Sequence, residues 1–228
     1  MLDFSTDIIA ETENWVAVRK PHGLHVLPDR YDSTIPTITE LMQERYGRLY
    51  IVHRLDSGTG GVLLLAKNAA SHRHLNMQME NGSVQKTYLA VAKGIFPHPV
   101  SLMLPIAVKN QKGRYRINFK SGRSARTSFI PVEYGSGASL VAAKLHTGRT
   151  HQIRVHLKAH GHPLVQDWLY GTKTEDRRLS LFAKNMKFID IDGTHVILNA
   201  ELSSFMTDTL KKIGICKDTS CKLREVVL

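Results

Sequence analysis

The sequence predicts an α+β fold with a mostly antiparallel sheet. Short apolar or β-branched runs recur along the 228 residues. Gly135-Ser136-Gly137 and Asp192-Gly193 join neighbouring runs as hairpins. Helical segments with capping residues lie among the runs without alternating strictly with them, which separates this pattern from a doubly wound parallel sheet.

In chain order, Ile8 to Arg19 reads as a strand ended by the turn Lys20-Pro21-His22-Gly23. Thr37 caps a short helix to Tyr46, with Ile38, Leu41 and Met42 on one face and Gly47 as its stop. Leu49 to Leu55 is apolar and β-branched and reads as a strand, and Val62 to Ala66 has the length of a buried one. Asn68 caps a helix to about Glu80, which Asn81-Gly82 ends. Val84 to Val91 alternates as a strand. Further strands follow at Arg114 to Phe119, Arg126 to Tyr134 and Leu140 to His146. Thr150 is the expected cap of a helix to Ala159, with Gly161 beyond it. Leu181 to Asp190 and His195 to Leu198 form the last hairpin, and Ser203 or Ser204 caps a final helix through Lys212. No internal repeat or long Pro/Ser linker divides the chain, so residues 1–228 are expected to form a single domain.

With 42% apolar and 22% charged residues, the chain can build one substantial core or two small ones. Lys and Arg number 31 against 20 Asp and Glu, a net charge of +11. Such an excess points to a polyanion, nucleic acid before an anionic membrane surface. The longest apolar run, Val62-Leu63-Leu64-Leu65-Ala66, is far too short to span a bilayer. The acidic start, Met1 to Asp7, lacks the apolar stretch of a signal peptide. Cys216 and Cys221 make neither a disulfide framework nor a zinc site. The expectation is a cytoplasmic, monomeric protein with no membrane association.

Two segments are richer in chemistry than structure alone requires. His53-Arg54-Leu55-Asp56-Ser57-Gly58-Thr59-Gly60-Gly61 sets a carboxylate at the end of an apolar run, beside glycines that let a substrate approach the backbone. Those glycines precede a strand rather than open a helix, which excludes the dinucleotide fingerprint, and no phosphate loop occurs. The second segment, Thr147 to Leu157, crowds Arg149, His151, Gln152, Arg154 and His156 among Ile153, Val155 and Leu157. The apolar residues force part of this basic set toward the core, where a buried arginine needs an anionic partner. The histidines at 156, 160 and 162 and at 72 and 74 lack the spacing and companions of a metal site.

His53-Arg54-Leu55-Asp56-x-x-Thr59-x-Gly61-Val62-Leu63-Leu64-Leu65-Ala66-Lys67 closely resembles the catalytic motif of RluA-like pseudouridine synthases. Lys20-Pro21-x-Gly23 resembles the family's early turn, and Gln85-Lys86-Thr87-Tyr88-Leu89-Ala90 its tyrosine strand. Thr147 to Leu157, Gly161-His162-Pro163 and Asp167-x-x-Tyr170-Gly171 resemble its third motif. The match runs from about residue 8 to about 200. Departures stand at Gly60, where the family usually has Ser, at Gln166, where it has Gly, and at Phe182, where it has His.

The resemblance implies a pseudouridine synthase fold: a mixed, mostly antiparallel central sheet with flanking helices and an RNA-binding cleft. It implies isomerisation of uridine to pseudouridine in ribosomal or transfer RNA, without cofactor or metal. The chain starts too close to its first strand for the S4-type domain that many relatives carry. Asp56 is the expected essential carboxylate, Arg154 its salt-bridge partner, and Tyr88 the ring stacked on the flipped uracil. Arg54, Arg149, His151, Gln152 and Thr59 are expected to bind RNA, with Arg54 on the same strand face as Asp56; His53 is expected to be structural. A single central carboxylate suits an isomerase better than a glycosidase, which needs a second group to activate water. The alternatives are a non-catalytic RNA-binding protein that keeps the fold, and an RNA N-glycosidase or nuclease.

Overall fold

The computed structural model describes residues 7–29, 32, 34–107, 114–172 and 174–215. Its elements in chain order are β1 (Ile8–Glu11), β2 (Trp15–Lys20), α1 (Ile38–Tyr46), β3 (Tyr50–Ile51), β4 (Gly60–Ala66), α2 (Ala69–Asn81), β5 (Gln85–Lys93), β6 (Val100–Met103), β7 (Ile106–Ala107), β8 (Arg116–Ile117), β9 (Arg126–Gly135), β10 (Ala138–Leu145), α3 (Gln152–Ala159), β11 (Leu181–Ile189), β12 (His195–Asn199) and α4 (Ser204–Lys212). This is the expected α+β class. No helix among the described residues is long and apolar enough to cross a membrane.

The chain packs as two compact units, one of Met1–Gln85 with Ala183–Ser203, the other of Lys86–Phe182 with Ser204–Leu228. In the first, strands run in the order β1-β2-β4-β11, with β12 on β11 and β3 on β4. The β1–β2, β2–β4, β3–β4 and β11–β12 pairs are antiparallel. Every residue of β4 is buried, as its unbroken apolar run requires. In the second unit, β5-β10-β9-β6 pair antiparallel in that order, β5 lying beside β10 rather than beside β6, and β7 pairs with β8.

Local sequence rules hold at several element ends. Thr37 and Glu40 form a reciprocal capping box at α1. The Asn68 side chain accepts the Ser71 N–H at 2.8 Å to open α2. Gly82, left-handed at φ 78°, closes it.

Other boundaries differ from expectation, each for a visible reason. The first strand is two strands, because the Thr12 hydroxyl accepts the N–H groups of Asn14 and Trp15 and turns the chain. The run from Leu49 to Leu55 is a strand only at Tyr50–Ile51. Of Arg114 to Phe119, only Arg116–Ile117 is strand. The sequence reading missed β6 and β7, the latter only two residues long. Helix α3 starts after His151, which is left-handed at φ 56°, so Thr150 is not its cap.

Gly61 has the firmest backbone requirement. Its φ is +110°, and a Cβ there would lie 2.2 Å from the Ala183 carbonyl oxygen and 2.7 Å from the Ala183 nitrogen. Both obstacles are backbone atoms of β11 and cannot swing aside. Gly61→Ala is therefore expected to cost roughly 2–4 kcal/mol of stability, combining φ strain with overpacking. Chemical denaturation measures it; a loss below about 1 kcal/mol would contradict this reading of the β4–β11 contact.

Candidate active site

In the first unit, Asp56 opens a tight turn rather than ending a strand. Its backbone carbonyl accepts the Thr59 N–H at 2.9 Å, and β4 begins at the next residue. Arg54 and Asp56 lie in the segment between β3 and β4, outside the paired strands. Arg54 is exposed and Asp56 partly so. Thr59 is buried at 2% exposure, so its place is inside the turn and not on an RNA-facing surface. His53 is structural, as expected: its Nε2 accepts the Leu64 N–H at 3.0 Å.

The early Lys20-Pro21-His22-Gly23 turn clamps the Asp56 turn. Lys20 is fully buried, and its ammonium donates to the carbonyls of Pro21 (2.9 Å), Leu24 (2.8 Å) and Ser57 (3.1 Å). The Gly23 N–H also donates to Ser57 O, and His22 Nδ1 donates to Gly58 O at 2.7 Å. The departure at Gly60 now has a cause. A Cβ at Gly60 would fall 2.6 Å from His22 Nε2, so the imidazole occupies the space a serine would need.

The sequence reading gave Lys20 no separate role. The available signal was a lysine directly after an apolar strand and before proline, where a solvated surface residue would be unremarkable. Burial pushes its pKa from 10.5 down to about 7, against the pull of nearby Asp56 upward. Between those values the unfolded chain binds more protons than the folded one, so stability rises with pH across that window and is lost as pH falls toward 7. Lys20→Met is expected to flatten this slope and, by leaving Ser57 O with one donor fewer, to slow turnover without weakening RNA binding. Denaturation at pH 7 and pH 9 checks the first effect; an unchanged slope would show that Lys20 does not carry it.

In the second unit, Tyr88 lies on β5 at 8% exposure, opposite Ala143 of β10. Arg154 lies on α3 at 1% exposure. Its Nε and Nη2 each donate at 2.8 Å to one oxygen of Asp167, itself wholly buried. The guanidinium also lies over the rings of Trp168 (4.9 Å) and Tyr170 (5.0 Å). Asp167 further accepts the N–H groups of Leu169 and Tyr170. The anionic partner that a buried arginine demands is thus present within the third motif itself.

Gln152, expected at the RNA surface, is buried at 2% exposure. Its oxygen accepts from the Thr147 hydroxyl and the Arg149 N–H, and its amide nitrogen donates to Arg126 O and the Thr127 hydroxyl. It organises the 147–152 turn. His151 Nδ1 meets the Tyr170 hydroxyl at 2.9 Å. Arg149 donates to Ser124 O, and burial together with the Arg123 charge lowers its pKa. His146 lies near Arg126 and Lys144, which add to burial in lowering its pKa. Cations facing cations in this way mark a surface that suits phosphate.

The segment Arg114 to Phe119, expected as a strand, ends instead in an exposed ring. Phe119 is 76% exposed, in a turn where the Asn118 side chain accepts the N–H groups of Lys120 and Ser121. Among the other departures, Phe182 is fully buried, and Gln166 exchanges backbone and hydroxyl hydrogen bonds with Ser180. Among the described residues, no group of three or more His, Cys, Asp or Glu is arranged to hold a metal ion.

Comparison with known proteins identifies the family. The family described as RNA pseudouridylate synthase matches residues 14–159. A ribosomal large subunit pseudouridine synthase C of Vibrio vulnificus is 33% identical over 220 residues, covering 90% of this chain and 67% of that protein. A tRNA pseudouridine(31) synthase of Saccharomyces cerevisiae is 32% identical over 207 residues, covering 80% of this chain and 49% of its own. The human RNA pseudouridylate synthase domain containing 1 structure superposes with a TM-score of 0.75 at 25% identity, over 86% of this chain and 83% of that one. The chain spans about half to three quarters of the length of the curated relatives it matches. It belongs to the RNA pseudouridylate synthase family, in its RluA-like branch.

Proposed function

We propose that this chain isomerises uridine to pseudouridine in RNA, as an RluA-like synthase. The observation that carries the reading is the Asp56 turn, clamped by the buried Lys20 at the family's catalytic motif. Breaking the N1–C1′ bond leaves C1′ electron-poor and sends the bonding pair to the uracil ring. Asp56 is the carboxylate for that centre, either bonding to C1′ or removing the C2′ proton. The freed ring turns in place and C5 bonds to C1′ as the Asp56–C1′ bond breaks or, on the other route, as the C2′ proton returns from Asp56; the C5 proton then leaves. Water must be kept out throughout, or the base would be lost.

Tyr88 is the ring on which the extruded uracil stacks, and its hydroxyl takes part in loss of the C5 proton. Arg154 orients Asp56. Arg54, Arg149 and His151 bind the RNA backbone, and Phe119 with Lys120 offers a base a stacking surface beside a cation. The substrate is a ribosomal or transfer RNA stem-loop, the RNA classes named for the relatives above. The protein acts in the cytoplasm as a monomer, with neither metal nor cofactor.

Mapping pseudouridines in total RNA from cells with and without the gene tests the activity and identifies the target. Tritium release from C5-labelled uridine in the RNA so identified then follows the reaction. Release of free uracil would replace the proposal with an N-glycosidase. RNA binding without tritium release would replace it with a non-catalytic RNA-binding protein.

A further inference from the structure

Lys86 precedes Tyr88 by two positions on β5, so both side chains leave the same face of the sheet with Cα atoms about 7 Å apart. Their partners on β10, Leu145 and Ala143, share that face. At the far end of the Lys86 side chain lies Gly148. A Cβ there would be 3.8 Å from Nζ. The ammonium thus reaches the turn that carries Arg149 and His151. Burial lowers its pKa, so water screens its charge poorly.

We propose that Lys86 is a catalytic cation, whose ammonium stabilises the negative charge that gathers on the uracil ring when the N1–C1′ bond breaks. The inference rests on the reading of Tyr88 as the uracil platform. A ring stacked on Tyr88 lies within reach of a lysine two residues along the same strand face. Heterolysis sends the N1–C1′ electron pair into the ring, where it spreads over N1, O2 and O4. A fixed, poorly hydrated ammonium beside one of those oxygens lowers the energy of that state with little reorganisation. The role is the same whether Asp56 bonds to C1′ or removes the C2′ proton, because the ring leaves as an anion by either route. Lys86 keeps its proton throughout; the only net loss is the proton from C5, a C2′ proton taken by Asp56 being returned as C5 bonds to C1′.

The test uses single-turnover kinetics on a hairpin around the uridine found by mapping, with the target as uridine or as 5-fluorouridine. Fluorine stabilises the ring anion, so its departure needs less help. Lys86→Met is expected to slow disappearance of the N-linked uridine about 100-fold, the scale of one lost charge-stabilising donor. The loss is expected to shrink to about 10-fold for 5-fluorouridine, with the RNA dissociation constant unchanged within about threefold. Lys86→Arg, which keeps the charge, is expected to recover most of the rate and gives the comparison should the Met variant fold poorly. Equal losses on the two substrates would assign Lys86 a structural role. A weakened dissociation constant with a normal rate at saturation would assign it to phosphate binding; either result overturns the proposal. A wild-type protein that leaves all uridines unchanged would instead overturn the synthase reading on which the inference rests.

Discussion

Asp56→Asn is expected to lower single-turnover pseudouridine formation by about 10⁴-fold or more, the scale seen when a nucleophile or its base is removed from a catalytic set. The amide has nearly the shape of the carboxylate but can neither bond to C1′ as an anion nor take a proton from C2′. The turn should survive, because its defining hydrogen bond comes from the backbone carbonyl of Asp56 and not from the side chain. RNA affinity should also survive, since it rests on cations elsewhere, and a dissociation constant within about threefold of wild type is expected. A second consequence lies inside the protein. Asp56 is the charge that holds the Lys20 pKa up against burial. Without it, the Lys20 pKa falls further, and the rise of stability with pH starts at a lower pH in Asp56→Asn than in the wild type. Tritium release, filter binding and denaturation across pH measure the three effects. Residual turnover within tenfold of wild type would remove Asp56 from the centre of the mechanism.

The parts of this arrangement legible in the sequence are those fixed by local chemistry. Thr37 with Glu40, and Asn68 with the Ser71 N–H, are caps built within a few residues, and the chain spells them out. The run Val62 to Ala66 could only be a buried strand, and it is one. What escaped the sequence depends on partners far along the chain. Lys20 is a binding residue for carbonyls because Ser57 arrives from a distant segment. Gly60 looks like a loose departure until the His22 ring is seen filling its space. Gln152 reads as a surface amide among basic residues, yet Arg126 and Thr127 arrive from β9 to bury it. Thr150 has the right chemistry for a cap, but His151 takes a left-handed conformation, which moves the start of α3 one residue on. Local motifs therefore show through the sequence more clearly than burial that depends on distant partners does.

Arg154 gives the second large effect, and here stability and catalysis must be separated. Arg154→Met leaves the Asp167 carboxylate fully buried without its guanidinium, keeping only the hydrogen bonds from Leu169 and Tyr170 N–H. Breaking a buried pair from one side costs about 3–5 kcal/mol. For a chain of this size that amounts to a fall in Tm of roughly 6–20 °C. The loss of the stacked guanidinium from Trp168 and Tyr170 acts in the same direction. Arg154→Lys keeps a charge near Asp167 but cannot donate in the same two-pronged geometry, so a smaller fall in Tm is expected. Turnover discriminates the roles. If Arg154 also orients Asp56, Arg154→Lys assayed well below its Tm should still lose about 100-fold or more in rate, with RNA binding intact. An Asp167→Asn variant of comparable Tm, which disturbs the pair but leaves the guanidinium in place, should lose far less. Equal activity in the two variants at matched stability would confine Arg154 to holding the third motif together and leave Asp56 to be oriented by the Lys20 clamp.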